Sequence, residues 1–313
     1  MMDLVFCGTP QFAVPTLEKL VCAGFRVKLA ATQPDRPSGR GMELAASPVK
    51  QTALAFGLPI TQPEKIKNND EFRAQLEAVA PEAIIVVGYG RIIPQWMIDL
   101  PRLGNINLHA SLLPKYRGAA PIQWAIACGE TVTGVTTMRI DAGLDTGAIL
   151  LQAEERIESS DTALTLAPRL AQAGAELMIR TLAGLKQGAI TPRPQDNSQT
   201  TPAPILKRED GLIDFSRTAM DAWNRLRGFQ PWPGAFTLFR GKTLHLHAAE
   251  PALEGDAVSP GHFATVNDRL LLGFAHGTAL EVHELQLEGK KRMRARDFVN
   301  GYRPRRDEVL GSS

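Results

Sequence analysis

The residues best suited to chemistry lie in the run from Asn107 to Pro114, which reads Asn-Leu-His-Ala-Ser-Leu-Leu-Pro. On a strand, Asn107 and His109 would project from the same face, because side chains alternate along a strand. An amide N–H₂ can donate to a developing oxyanion, and an imidazole can move a proton near neutral pH. The pair therefore favours acyl transfer. A core histidine bonded to the backbone would fit the spacing equally well.

A second candidate is the glycine-rich run Asp141-Ala-Gly-Leu-Asp-Thr-Gly-Ala148. Asp145 in this run could orient His109 or raise its basicity, as carboxylates do beside other catalytic imidazoles. By itself, an Asp-Thr-Gly sequence is more typical of a turn in which aspartate bonds to the backbone. No serine or cysteine lies in a nucleophile-elbow context. We therefore expect the acceptor substrate itself to attack the acyl group.

The first half of the chain must supply the elements that position these residues. Short apolar runs alternate there with segments of helical period, which predicts a Rossmann-like open, mostly parallel α/β sheet. Ligands bind such sheets at the carboxyl ends of the strands, where His109 would emerge. The predicted strands are Leu4–Cys7, Val27–Thr32, Ala83–Val87, Ile106–Leu108 and Val132–Ile140, and the predicted helices are Ala13–Ala23, Pro48–Phe56, Glu71–Val79 and Leu164–Leu185.

A change of composition divides the chain. Residues 188–204 are rich in Pro, Thr, Ser, Gln and Asn, which predicts a linker after a catalytic domain over residues 1–187. Residues 205–313 hold short alternating runs between Gly and Pro turns, with one helix expected from Thr218 to Phe229. This pattern predicts a small OB-like β-barrel domain.

Length and composition support an ordinary two-domain protein. The chain has 313 residues, of which 44% are hydrophobic and 22% charged, and these shares argue against a disordered, collagen-like or coiled-coil protein. The N-terminus lacks the basic start of a signal peptide, and no apolar run is long enough to span a membrane, so we expect a cytoplasmic protein. Cys7, Cys22 and Cys128 lack metal-ligand spacing, and we expect them to be reduced and buried, with no metal bound.

Two further features are ambiguous. Gly8-Thr9-Pro10 follows the first predicted strand, but it lacks the GxGxxG spacing, so a tight turn is the preferred interpretation over a nucleotide site. Residues 290–306 carry eight basic side chains against one acid, Asp297. Such a run can contact phosphate, or it can be a solvated face.

Taken together, Asn107-x-His109-x-Ser-Leu-Leu-Pro-x-Tyr-Arg-Gly118 and Gly143-Leu-Asp-Thr-Gly147 closely resemble the folate-dependent formyltransferases. The resemblance covers nearly the whole chain. It implies transfer of a formyl group from 10-formyltetrahydrofolate to the amino group of methionine on initiator tRNA. Further matching runs are Phe6-x-Gly-Thr-Pro-x-Phe12, Gln33-Pro-Asp-Arg-Pro-x-Gly-Arg-Gly41, Ser47-Pro-Val-Lys50, Ile213-Asp-Phe215 and Phe229-x-Pro-Trp-Pro-Gly234.

The resemblance also assigns residues. It implies that Asn107, His109 and Asp145 are catalytic. The implied folate-binding residues are Ser111, Leu112, Leu113, Pro114, Gly88, Tyr89, Arg91 and Ile92. Two positions depart from the family pattern: Gly88 stands where alanine is usual, and Ala148, in the outer loop, stands where an acid is frequent.

The expected tRNA contacts rest on basic residues in three places. By resemblance, the loop of Arg36 and Arg40 inserts at the tRNA acceptor end, whereas composition alone predicts a flexible surface loop. Lys207 and Arg208 could clamp RNA phosphate or be ordinary surface charge. The run of Lys290, Lys291 and Arg292 completes the set. We expect a monomer.

Other functions compete with this interpretation. A formyltransferase acting on a small amine, such as a purine precursor or an amino sugar, would use the same three catalytic residues and need no tRNA. A non-catalytic RNA-binding protein would use the second domain and the basic run, and would tolerate His109→Ala. A nicotinamide dehydrogenase is disfavoured by the missing glycine fingerprint.

We predict that Arg40→Ala damages tRNA-dependent transfer far more than folate binding, because Arg40 lies in the glycine-bounded loop. Transfer rates and folate affinity of the variant would be measured side by side. An equal loss of folate affinity would contradict the assignment of Arg40 to tRNA.

Overall fold

The apolar runs of the first half form a seven-stranded sheet in the computed structural model, which describes residues 2–38, 43–253, 258–305 and 307–311. The strands of this half are β1 (Asp3–Gly8), β2 (Arg26–Ala31), β3 (Arg36–Ser38), β4 (Glu43–Ala45), β5 (Ile60–Thr61), β6 (Ala83–Val87), β7 (Asn105–His109), β8 (Val132–Arg139) and β9 (Ile149–Arg156). The order in the seven-stranded sheet is β5-β2-β1-β6-β7-β8-β9, and β3 and β4 form a separate two-stranded sheet. Pairing in the larger sheet is parallel from β5 to β7, and antiparallel between β7 and β8 and between β8 and β9.

Helices connect these strands, and local sequence fixes where several begin. The Ser47 hydroxyl accepts a hydrogen bond from the Lys50 backbone, and Pro48 is the first helical residue, both of which favour a helix start. Asn69 caps the next long helix through Phe72 N–H in the same way. The helices are α1 (Val14–Cys22), α2 (Pro48–Ala55), α3 (Asp70–Val79), α4 (Gln95–Ile98), α5 (Pro121–Ala127) and α6 (Ala163–Lys186).

The five predicted strands and the four predicted helices of this half are present, and each bound lies within one residue of its prediction. Strand β9, the β3–β4 hairpin and the short helices α4 and α5 were not predicted. The cysteine prediction was wrong in part, because only Cys7 is buried. Cys22 ends α1 and Cys128 follows α5, and both are exposed there. Burial raises the pKa of the Cys7 thiol far above its usual range.

Residues 188–204 are held by backbone pairing. Arg193 and Ile149 exchange backbone hydrogen bonds of 2.8 and 2.9 Å. Arg117 pairs in the same manner with Thr201 and Ala203. By contacts, this segment belongs to the first compact unit, which comprises residues 1–121, 132–156 and 166–204.

A second compact unit contains residues 205–313 together with residues 122–131 and 157–165. Its strands form an antiparallel sheet of order β10-β11-β14-β13-β12, with β15 paired to β14. A mostly parallel α/β domain followed by a smaller antiparallel β domain confirms the predicted architecture. The elements are α7 (Ala219–Gly228), β10 (Ala235–Phe239), β11 (Lys242–Pro251), β12 (Phe263–Val266), β13 (Arg269–Gly273), β14 (Ala279–Leu287), β15 (Met293–Arg294) and α8 (Ala295–Tyr302).

The basic run near the C-terminus contains α8, whose apolar face belongs to the core of this unit. Phe298 is fully buried, and its ring lies 5.2 Å from that of Phe239 and 5.9 Å from that of Phe263, measured between centroids. Ala295 is also buried, whereas Arg296 points to solvent. Hydrophobic packing therefore fixes this part of the basic run. Within the described ranges, no helix is long and apolar enough to cross a membrane.

We predict that Phe298→Ala destabilises the second unit by about 3–5 kcal/mol, the typical cost of truncating a buried phenylalanine. Denaturant titration followed by hydrogen exchange in β10–β14 would measure the loss. Asn300→Ala, an exposed position on the same helix, serves as the control. Equal stability of the two variants would contradict the packing role of α8.

Candidate active site

Asn107 and His109 lie on β7, and strand alternation places their side chains on one face of the sheet, as predicted. His109 is buried, with 6% of its surface exposed. Asn107 is half-buried, and within the described residues its side chain makes no hydrogen bond, so its amide donors are available to a ligand.

Both ring nitrogens of His109 face oxygen atoms. Nε2 lies 2.8 Å from the carbonyl oxygen of Tyr116, and Nδ1 lies 3.7 Å from a carboxylate oxygen of Asp145. A carbonyl only accepts, so Nε2 carries a proton and donates it to Tyr116. In the neutral ring, Nδ1 is then the basic nitrogen, and it faces Asp145. The Tyr116 carbonyl, which sequence reasoning missed, therefore selects the tautomer.

Asp145 reaches His109 from the loop between β8 and β9. Because β8 is antiparallel to β7, this loop begins beside the start of β7, where Ile140 N–H donates to the Asn105 carbonyl at 2.9 Å. It then folds back until the Asp145 carboxylate lies beside His109. The backbone N–H of Gly118 donates to that carboxylate at 2.9 Å. The histidine and the aspartate are thus brought together, as expected.

The turn-forming aspartate of this loop is Asp141. Its carboxylate accepts from Gly143 N–H at 3.0 Å and from the Thr146 hydroxyl at 2.7 Å. Asp145 has a φ of +52°, in the left-handed region that non-glycine residues rarely adopt. Gly147 packs directly on the β8 backbone, where an added Cβ would lie 1.8 Å from the Arg139 carbonyl oxygen. Because Asp141 makes the turn hydrogen bonds, the Asp145 carboxylate can face His109.

The segment after β7 is held by buried hydroxyl groups. Ser111 is fully buried, and its hydroxyl donates to the Lys115 carbonyl at 2.6 Å. Thr136 on β8 donates to the Ser111 carbonyl at 2.6 Å and accepts from Leu113 N–H at 3.2 Å. Leu113 is buried, and the partly exposed side chains of this segment are Leu112 and Pro114. Ser111 therefore shapes the segment rather than presenting its hydroxyl to solvent.

The loop after β6 is likewise partly structural. Tyr89 is 2% exposed and packs in the core of the first unit, and this burial raises the pKa of its hydroxyl well above the usual range. Gly88 has a φ of +55°, and an added Cβ would lie 2.8 Å from Pro10. Arg91 is partly buried, and the Ile92 side chain is 91% exposed. Of the four predicted folate-binding residues in this loop, Arg91 and Ile92 present side-chain surface.

The base of the Arg36 loop is tied to the loop after β6. Arg36 itself is exposed on β3, and Arg40 lies outside the described residues. Lys50 forms an ion pair of 2.5 Å with Asp35 and lowers the pKa of that carboxyl, with Gln62 as a second donor. The Gln33 amide donates to the carbonyls of Tyr89 and Gly90 at 3.0 and 3.1 Å.

In the second unit, the predicted tRNA-binding residues are all exposed. Arg208 lies over the Phe236 ring, 5.6 Å from its centroid, and Lys207 precedes it. Lys290 and Lys291 are in the turn between β14 and β15. Arg292 forms an ion pair with Glu284, which offsets part of its charge. The structure thus groups Lys290, Lys291 and Arg292 on one hairpin with Arg294 and, at the start of α8, Arg296.

Comparison with known families extends this description. The formyl transferase family model matches residues 2–182, and the model of the formyl transferase C-terminal domain matches residues 205–303. Most of each unit therefore lies in sequence that formyl transferases share, and Asn107, His109 and Asp145 lie inside the first match.

Individual relatives narrow the class. The chain is 67% identical over 310 residues to a methionyl-tRNA formyltransferase of Koribacter versatilis, with 99% of each chain covered. It is 65% identical over 300 residues to one of Acidobacterium capsulatum, with 96% of each covered. The chain belongs to the formyl transferase family and, within it, to the methionyl-tRNA formyltransferases.

Solved structures share the fold. A sugar 3N-formyl transferase in the presence of dTDP and 5-N-formyl-THF matches with a TM-score of 0.67 and 19% identity, covering 93% of this chain and 99% of that one. An N-formyltransferase from Helicobacter canadensis in complex with folinic acid and dTDP-3-aminofucose matches with a TM-score of 0.65 and 18% identity, covering 90% and 99%. At these identities the likeness describes the fold alone.

Three residues that contact the site were missed by sequence reasoning. They are Tyr116, Gly118 and Gln195. Tyr116 and Gly118 lie inside the matching motif, but they act through backbone groups that residue type does not reveal. Gln195 lies in the Pro-rich segment that was predicted to be a linker, and its amide donates to the carbonyl of Asp145.

We predict that Gly147→Ala lowers the rate of formyl transfer by about 10², because the added Cβ would push the loop off β8 and displace Asp145. Single-turnover rates would measure this loss. Gly301→Ala, where an added Cβ meets no atom within 4 Å, is the control. A Gly147→Ala rate equal to that of the control would show that the loop position does not matter.

Proposed function

We propose that the chain transfers the formyl group of 10-formyltetrahydrofolate to the amino group of methionyl initiator tRNA, in the cytoplasm, for translation initiation. This proposal is supported by the position of Asn107 and His109 on one face of β7, with the Asp145 carboxylate 3.7 Å from the His109 ring. This arrangement occurs in a chain that is 67% identical to a methionyl-tRNA formyltransferase along almost its whole length.

Asn107 is proposed to stabilise the oxyanion. The folate cosubstrate supplies an activated formyl group, and attack by an amine drives negative charge onto the formyl oxygen. The Asn107 side chain is half-buried on the same face of β7 as His109, and its amide makes no hydrogen bond to the described residues. A positioned amide of this kind suits a charge that develops only during reaction.

His109 is proposed to accept the proton that the attacking amine must lose. That proton then passes to the folate nitrogen when the bond between this nitrogen and the formyl carbon breaks. Proton uptake at Nδ1 gives an imidazolium with two N–H donors, and the two oxygen atoms beside the ring both accept. Tyr116 holds Nε2 in every state of the ring, so Nδ1 is the nitrogen that changes protonation. The Asp145 carboxylate, 3.7 Å away, stabilises the cation.

The folate is proposed to lie against the segment Ser111–Pro114 and the loop Gly88–Ile92. Leu112 and Pro114 offer partly exposed apolar surface, whereas Ser111 and Leu113 fix the backbone that carries them. Tyr89 acts from the core by shaping the loop, and Arg91 and Ile92 present side chains. The residues present therefore fit a mostly apolar ligand wall with few polar groups.

The tRNA is proposed to contact basic residues of both units. Arg36 and Arg40 would serve the first unit. In the second unit, Lys207, Arg208, Lys290, Lys291 and Arg292 would contact phosphate, since phosphate contacts position RNA without reading sequence. We propose that the protein works as a monomer.

The deciding experiment is a formylation assay with 10-formyltetrahydrofolate and charged initiator tRNA. Formylated methionine should appear only when charged tRNA is present. The matched reactions contain uncharged tRNA, or an amino sugar nucleotide in place of tRNA. Efficient formylation of the small amine without tRNA would replace this proposal with a small-amine formyltransferase.

We predict that Asn107→Ala slows transfer by about 10²–10³, the typical loss for one oxyanion donor, with little change in folate affinity. His109→Ala should cost a comparable or larger factor, since general acid–base help is worth about 10²–10⁴. Single-turnover rates with both substrates saturating would isolate the chemical step. Near wild-type rates for both variants would overturn the catalytic assignment.

Asp145→Asn should act through His109. We therefore predict that the His109→Ala, Asp145→Asn double variant is hardly slower than the slower single variant, because residues that act as a unit lose activity non-additively. The same single-turnover assay measures the wild type, the two single variants and the double variant. Clean multiplication of the two losses would refute the coupling.

We predict that neutralising Lys290, Lys291, Arg292, Arg294 and Arg296 weakens tRNA binding and flattens its salt dependence, because binding releases fewer counterions when fewer phosphates are contacted. The negative slope of log K against log salt should become less steep by up to about 0.9 per lost contact. Lys65→Gln with Lys67→Gln, exposed lysines of the first unit, is the control. An unchanged slope would show that these five residues do not contact the tRNA.

A further inference from the structure

The side-chain amide of Gln195 donates to the loop of residues 140–148 between β8 and β9, which we call the catalytic loop. Nε2 lies 2.8 Å from the carbonyl oxygen of Asp145 and 2.8 Å from that of Gly147. The two contacts span the residues that carry the carboxylate and the close approach to β8. A single side chain thus holds the backbone of the loop on both sides of Thr146.

Arg117 fixes the orientation of that amide. The Gln195 Oε1 accepts from Nε and Nη2 of Arg117, at 3.0 and 2.7 Å. A guanidinium only donates and a carbonyl only accepts, so the amide cannot be reversed without losing all four contacts. Both donors and both acceptor positions of Gln195 are occupied. Its hydrogen-bonding capacity is used entirely between Arg117 and the catalytic loop.

The anchors at either end of this bridge are themselves fixed. Two residues before Gln195, Arg193 exchanges backbone hydrogen bonds with Ile149 at the start of β9. Arg117 is paired through its backbone with Thr201 and Ala203, and the next residue, Gly118, donates its N–H to the Asp145 carboxylate. The neighbouring residues Arg117 and Gly118 therefore hold Asp145, Gly118 through the carboxylate and Arg117, by way of Gln195, through the backbone carbonyl.

Asp145 needs this support because of its backbone conformation. Its φ of +52° lies in the left-handed region, where a residue other than glycine persists only if its surroundings enforce the conformation. Gln195 bonds the carbonyl of that same residue. The Gly118 contact alone would fix one carboxylate oxygen but not the peptide that carries it.

We infer that Gln195 is a positioning residue for formyl transfer: it holds Asp145 in the conformation in which the carboxylate faces Nδ1 of His109. The inference rests on the proposed function, in which Asp145 stabilises the His109 imidazolium. Gln195 does not touch the reacting atoms in this role. It acts entirely through Asp145, and this makes its effect separable from that of a residue needed only for folding.

The test is a double-mutant cycle with Gln195→Leu and Asp145→Asn. Gln195→Leu should lower kcat by about 10- to 100-fold, the range expected from a misplacement of about 1 Å, with KM for folate and tRNA changed by less than about 2-fold. In the Asp145→Asn background, the same substitution should cost less than about 3-fold, because the group it positions is already lost. Full multiplication of the two losses would overturn the inference.

Two further variants keep the test decisive. Gln195→Glu retains size and can still accept from Arg117, but it cannot donate to the two carbonyls, so it should lose kcat as Gln195→Leu does even if the latter folds poorly. Gln199→Leu removes another glutamine of the same segment, which bonds only to the exposed Asp196, and should behave as wild type. Wild-type kcat in a folded Gln195→Glu protein would refute the positioning role.

Hydrogen exchange separates this inference from the proposed function. Loss of the Gln195 contacts should accelerate exchange in residues 142–147 relative to β8, whatever substrate the enzyme uses. If the wild type fails to formylate methionyl-tRNA while Gln195→Leu still loosens the loop, the proposed function fails and the mechanical link stands. If the wild type is active and the loop exchanges normally in the variant, the link fails alone.

Discussion

The placement of Asp145 is the constraint on which the rest of the site depends. Asn107 and His109 need only a strand, because alternation along β7 brings two side chains to one face without help from distant sequence. Asp145 lies on a loop, at a residue with a left-handed backbone, and strand alternation cannot direct it at His109. Contacts from Gly118, Gln195 and the tight seat of Gly147 on β8 supply that direction. The catalytic geometry is therefore a tertiary property, although its residues are recognisable in the sequence.

This difference between local strand geometry and tertiary contacts explains what could be predicted from the sequence. Strands β1 and β6 were found because continuous apolar runs are required where both faces of a sheet are covered. Strands β2, β7 and β8 were found from shorter runs that mix apolar and polar residues. The reversal at β8 was not found, since alternation is the same in either direction, and so the route of the Asp145 loop was also missed. The role of Gln195 was not predicted, because its partners Arg117 and Asp145 lie 78 and 50 residues away in the sequence and its neighbours have a linker composition.

Resemblance to a family motif also conceals a distinction that contacts make visible. Ser111 and Tyr89 both fall in runs associated with folate, yet the hydroxyl of Ser111 bonds to its own loop and the ring of Tyr89 is in the core. Their identity is explained by the shape they impose on the backbone. Leu112 and Pro114, by contrast, are partly exposed beside them. A motif therefore combines residues that can touch a ligand with residues that build the surface it touches.

The discontinuity of the second unit has a consequence for how the protein is made. Trp124 packs on Phe229, with ring centroids 5.2 Å apart, and the Arg227 guanidinium donates to the Asp161 carbonyl at 2.8 Å. On the ribosome, Trp124 and Asp161 emerge long before these partners are translated. Since chains generally begin to fold from the N-terminal end, those early segments must remain available until the last third of the chain arrives. The second unit is thus not a continuous segment that can fold as soon as it is made, because its early segments need partners from residues 205–313.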